Sequence, residues 1–121
     1  MIKLSFCLHR LPHLSREAFH SYWLNNHAPL VRSFQKPLRI RRYVQCHTTS
    51  VELNQAVAAA RGAPRMYDGV AELWWDSIDD VTAATATAEG QAAGQALLED
   101  EHKFIDLARS PLWFGEEKVI L

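Results

Sequence analysis

The sequence predicts an α+β domain: a ferredoxin-like βαββαβ chain whose antiparallel four-stranded sheet carries its helices on one face. Three observations lead there. Apolar residues alternate with polar ones at a period of two in four separate runs, the signature of strands. Between the first and second runs, and between the third and fourth, the spacing becomes helical. The second and third runs are joined by a stretch with only a short helical pattern, so the order is strand, helix, strand, strand, helix, strand, the split βαβ arrangement.

Each element has its own warrant. Ile2, Leu4, Phe6 and Leu8 share one parity against Lys3, Ser5, Cys7 and His9, and Pro12 closes the strand. Ser15 is an N-cap with Glu17 in the first turn, where the helix dipole favours an anion. Phe19, Trp23, Leu30 and Phe34 then keep one helical face apolar. Pro29 has no N–H and frees the carbonyl of Asn25, so 25–29 is a kink or a junction between two helical pieces. Residues 40–48 alternate again, Tyr43, Gln45 and His47 on one parity with Arg41, and Val44 and Cys46 on the other. Residues 49–66 form a variable inserted loop in which 52–61 favour a helix that Gly62 and Pro64 stop. The third strand is 68–75, with Trp74 and Trp75 on opposite faces. Ser77 and Asp80 resemble a capping box opening an Ala-rich helix that breaks near Gly90 and resumes over 91–107. Residues 113–121 supply the last strand.

The chain is read as one domain, 1–121, because 121 residues with 48% hydrophobic and 22% charged content bury one real core without a metal or disulfide staple. The formal charge is −1 and no basic stripe exists beyond the interrupted Arg39–Arg42 group, which argues against nucleic acid as partner. No apolar run reaches membrane-spanning length and the first residues lack the features of a signal peptide. Cys7 and Cys46 stand far apart without a C-x-x-C, so a cytoplasmic, reducing setting is expected. Two helices cover one sheet face only, and the aromatic residues placed on the other, Tyr43, Trp74 and Trp113, should not stay in water. Two sheets closing face to face would bury them, which predicts a homodimer, a dimeric α+β barrel with a lumen.

The stretches LSREAFHSYWLNNHAPLV (14–31), RRYVQCH (41–47), YDGVAELWWDS (67–77) and EDEHKFID (99–106) resemble the EthD-like family of the dimeric α+β barrel superfamily, named for accessory proteins of ether degradation. The combination F-x-x-Y-W-x-x-x-H-A-P-L-V with Y-D-G-x-A-E-L-W carries the resemblance, and residues 49–66 depart from it. It implies a ferredoxin-like protomer and a dimer. It does not imply one reaction, since relatives in the superfamily include cofactor-independent monooxygenases and cyclases, isomerases, dehydratases and haem-degrading enzymes.

Three groups of residues carry candidate chemistry. His27, at the Pro29 kink on the face shared with Trp23, is either a general base or a partner for carbonyls the proline leaves open. Tyr43, Gln45 and His47, placed in the lumen, either orient a polar aromatic ligand or pair across the dimer. Asp68, Glu72 and Trp74 share a parity. There Glu72 is either a desolvated proton shuttle beside Trp74 or the ionised partner of an arginine such as Arg41. His27 and Glu72 are thus the catalytic candidates, and Trp23, Tyr43, Gln45, His47, Asp68 and Trp74 the ligand-binding ones. Histidine spacing supports no metal site, no Gly-rich loop supports a nucleotide or flavin, and no motif supports haem, so no cofactor is expected. The Glu99–His102 segment reads as a solvated helix. The expected partner is a small apolar or aromatic molecule, handled either by a cofactor-independent enzyme or by a non-catalytic carrier.

Overall fold

The computed structural model describes residues 1–121. Strands β1 (Ile2–Leu8), β2 (Arg42–His47), β3 (Gly69–Trp75) and β4 (Leu112–Glu116) form one antiparallel sheet in the order β2-β3-β1-β4. The helical segments are α1 (Arg16–Tyr22), a π-helical turn (Trp23–His27), α2 (Ala28–Ser33), α3 (Gln35–Leu38), α4 (Glu52–Ala59), α5 (Ile78–Thr85) and α6 (Ala88–Glu101). The ferredoxin-like architecture is the one the alternation predicts.

The caps act as the sequence implies. Ser15 accepts from the backbone of Ala18 at 3.0 Å, and Ser77 from that of Asp80 at 3.2 Å. Between α5 and α6 the break falls three residues before Gly90. Thr87 caps α6 by accepting from the Gly90 N–H at 2.9 Å. Gly90 lies inside that helix, where a Cβ would sit 1.8 Å from the Ala84 carbonyl oxygen, so its missing side chain permits the tight corner. Strand β4 ends at Glu116 rather than running to 121, because Glu116 already pairs with Ile2, the first residue of β1, and the ladder has no further partner. Strand β2 starts at Arg42, after Arg39 closes α3 in the left-handed region at φ 58°.

At Pro29 the chain does more than kink. The N–H of Ala28 reaches back five residues to the Trp23 carbonyl, which makes the turn before the proline π-helical. Such bulges commonly mark functional sites. The Trp23 carbonyl also accepts from the Gln45 amide at 2.9 Å, tying the turn to β2.

Core packing fixes which strand residues face the helices. Phe6, Leu8, Phe19, Trp23, Ala71, Phe104 and Ile105 form one buried cluster, and Val31, Ile40 and Trp75 a second. In the pairing register Tyr43 lies opposite Leu73, Gln45 opposite Ala71 and His47 opposite Gly69, so all three face the helices. This corrects the expectation that they line a lumen on the other face. The register places Lys3, Ser5, Cys7, Arg42, Val44, Cys46, Val70, Glu72, Trp74 and Trp113 on that opposite, helix-free face.

Candidate functional site

Between sheet and helices lies a cavity of about 150 Å³. Fourteen of its sixteen lining residues are hydrophobic, so the two that are not, His27 and Glu101, stand out. The π-helical turn delivers His27, and the last turn of α6 delivers Glu101.

His27 is 5% exposed, with its ring 5.0 Å from that of Phe104. Its Nδ1 lies 2.7 Å from Asp100 Oδ2, while Tyr22 donates its hydroxyl to Asp100 Oδ1 at 2.5 Å. Burial pushes the Asp100 carboxyl upward, but the hydrogen bonds from Tyr22 and His27 outweigh it and hold the group below the usual carboxylate range. An ionised Asp100 accepts, so Nδ1 carries the proton and Nε2 keeps its lone pair. Burial holds the His27 imidazole below its ordinary pKa despite the opposing pull of Asp100, leaving it neutral at pH 7. Nε2 has no hydrogen-bond partner, yet no buried polar side-chain atom is orphaned, so this nitrogen opens onto the cavity.

Glu101 behaves in the opposite sense. Burial, then the neighbouring Asp100 charge, push its pKa up to about 7. A neutral imidazole and a half-protonated carboxyl therefore share one apolar chamber, an arrangement that separates a base from an acid near neutrality. Tyr43 borders the same space, its hydroxyl accepting from Gln45 at 2.7 Å, and burial raises its pKa.

Of the residues singled out in the sequence, the fold brings His27, Trp23 and Tyr43 to this cavity. Gln45 and His47 lie just outside, as a clamp. His47 Nε2 meets Gln45 Oε1 at 2.8 Å, and the His47 ring stacks on Trp23 at 4.5 Å and 15°. Asp68 is 4% exposed at the end of the sheet, where it accepts from the Arg10 backbone at 2.9 Å and pairs with the Arg10 and Arg16 guanidiniums. Burial pushes its carboxyl up, and the Arg10 and Arg16 hydrogen bonds more than reverse that.

Glu72 and Trp74 lie on the opposite side of the sheet from His27. The partner of Glu72 is Lys3 at 2.8 Å rather than Arg41, which instead faces Asp76 at 3.7 Å. Trp74 is nearly buried there, its Nε1 bonded to Glu117 at 2.5 Å and its ring under Arg42 and Lys3. Expecting Asp68, Glu72 and Trp74 in one constellation failed because Asp68 precedes the paired strand.

Sequence reasoning missed Tyr22, Asp100 and Glu101. The Glu99–His102 run looked solvated, yet helical spacing aligns Leu97, Asp100, Glu101 and Phe104 on a face that continues into the buried Phe104–Ile105 pair. No three His, Cys, Asp or Glu side chains gather as a metal-ligand set.

The family model for the EthD domain matches residues 11–108. Comparison with curated protein sequences finds no significant match. Among solved structures, an ethyl tert-butyl ether D (EthD) family protein from Bacillus halodurans is similar over 98% of this chain and 100% of its own, at 24% identity and a TM-score of 0.63. An EthD-like protein from Ralstonia eutropha aligns over 95% and 89% of the two chains, at 18% identity and a TM-score of 0.59. A dimeric protein of ferredoxin-like fold and unknown function from Bacteroides fragilis aligns over 96% and 95%, at 12% identity and 0.59. At these identities the likeness is one of fold.

Proposed function

The chain belongs to the EthD family, and from that premise we propose that it is a small-molecule-binding barrel protein that moves protons on a small aromatic or polyketide-like ligand without a bound cofactor. The observation that carries this reading is the pairing of a neutral, Asp100-oriented His27 with a carboxyl of pKa about 7, Glu101, in one apolar cavity. His27 Nε2 takes a proton from an acidic carbon or hydroxyl of the ligand, and protonated Glu101 returns one to the developing oxyanion. Low dielectric around both groups strengthens the exchange. The cavity matches the size that holds a benzene-like ring.

Support for a homodimer comes from the helix-free sheet face, where Trp113 on the β4 edge is 53% exposed and shares the face with Val44, Cys46 and Trp74, and from the dimeric relative of the same fold. No helix is long and apolar enough to cross a membrane. The free thiols Cys7 and Cys46 suit a reducing, cytoplasmic compartment.

A second reading is that of a non-catalytic carrier in a degradation pathway, favoured by the apolar majority of the lining. Proton–deuterium exchange at the acidic carbons of 4-phenyl-2-butanone, followed by NMR in D₂O, separates the two. Acceleration by the wild-type protein that is lost in His27→Ala supports proton transfer. Binding without acceleration leaves the carrier, and no binding at all removes the cavity as a ligand site.

A further inference from the structure

Outside the inner cavity, α2, α3 and β2 enclose a second, open groove of about 510 Å³. Val31, Ile40 and Tyr43 line both spaces, so they form the wall between chamber and groove. The groove's far side has a different chemistry: Arg32 on α2 and Arg41, just before β2, line it, while the guanidinium of Arg42 lies over Trp74 on the helix-free face. Arg32 and Arg42 form no ion pair, and Arg41 has only a long contact of 3.7 Å to exposed Asp76. The other nearby carboxylate, Asp80, is taken by Arg39 at 2.9 Å. Arg32 and Arg41 thus border one concavity with little carboxylate to neutralise them, in a chain whose net charge is −1.

Resting on the reading of the inner cavity as a ring-binding site, we propose that the ligand is an organic anion. Its apolar ring enters the chamber past Tyr43, and its carboxylate stays in the groove on Arg32 and Arg41. The inner chamber is too small for a ligand much larger than one ring, so the rest of such a molecule must lie outside it. Guanidinium is the side chain best matched to a planar carboxylate, because its fork donates two parallel hydrogen bonds. The groove is also of the size usual for small-molecule sites.

Calorimetric titration with 4-phenylbutyrate and the neutral 4-phenyl-1-butanol tests this on wild type, Arg32→Gln and Arg32→Gln/Arg41→Gln. Circular dichroism confirms that each variant is folded. The acid should bind at least about tenfold more tightly than the alcohol, the size of one charge-assisted hydrogen bond. Arg32→Gln should erase most of that advantage and leave the alcohol's affinity unchanged. Equal affinity for acid and alcohol in the wild type, or equal weakening of both in Arg32→Gln, overturns the anion assignment and leaves the cavity reading intact. Failure of both compounds to bind the wild type overturns the cavity reading and this inference with it.

Discussion

His27 Nδ1 and Asp100 Oδ2, 73 residues apart in sequence, lie 2.7 Å apart in the fold, and the contact joins the π-helical turn to the last turn of α6. Asp100 also accepts from Tyr22, so its removal strips two donors of their acceptor. Asp100→Ala should cost about 2–4 kcal/mol in urea unfolding, from the penalty of leaving partly buried polar groups unpaired. In Asp100→Asn the loss of the negative charge removes what holds the His27 pKa up. The histidine titration followed by NMR should move further down. A midpoint that stays in place would show that Asp100 does not govern His27.

Stability should depend on pH through two opposed groups. The folded His27 pKa lies below its ordinary 6.5, so its contribution is present above about 6.5 and lost as pH falls. For Glu101 the folded value, about 7, lies above the ordinary 4.5, so its contribution is present below 4.5 and lost as pH rises through 7. Glu101→Gln should therefore gain on the wild type by roughly 2–4 kcal/mol between pH 4.5 and 7, with no further gain above. Parallel unfolding curves across that range would contradict a buried, protonated Glu101.

Gly69 opens β3 because Trp23 lies against it. A Cβ there would meet two ring atoms of Trp23 at 2.5 and 2.8 Å and the Cys46 carbonyl oxygen at 2.9 Å. Gly69→Ala should destabilise by about 1–3 kcal/mol through overpacking. Trp23→Phe in the same chain should recover part of it, since only one of the two obstacles is the indole. Denaturant midpoints of the single and double variants give the coupling.

Asp68 is a buried charge between Arg10 and Arg16. Asp68→Asn leaves the same shape without the charge, and roughly 3 kcal/mol should be lost because two guanidiniums lose their anion. A loss below about 0.5 kcal/mol would mean that solvent compensates the pair as at an exposed site.

Light scattering should give a mass of twice 13.8 kDa for the wild type. Trp113→Glu places a charge on the helix-free face and should return the protein to a monomer with its far-ultraviolet spectrum unchanged. A wild-type monomer would remove the face-to-face dimer.

Much of the protomer is written locally. Ser15, Ser77 and Pro29 mark caps and a distortion that depend on neighbours within one turn, and they act where the sequence places them. The strand parities are equally local, as the set Leu4, Phe6 and Leu8 shows. Which side a mixed parity faces is not. Tyr43, Gln45 and His47 read as a lumen surface, yet Gln45 turns inward because the Trp23 carbonyl in the π-helical turn takes a donor that only β2 brings within reach. Strand ends failed for a related reason: β4 stops where β1 runs out of residues to pair with it.

By itself the sequence determined the element order, the helical distortion at Pro29 and the family, because capping, alternation and proline chemistry act over a few residues. The fold alone decided that Glu101 lines the candidate cavity, that Asp100 bonds the His27 that lines it too, and that Glu72 lies away from it. Ionisation depends on what lies within a few ångströms in space. The packing of α6 against the π-helical turn desolvates one carboxyl and hydrogen-bonds its neighbour, while the register of β3 leaves Glu72 beside Lys3 on the other side of the sheet.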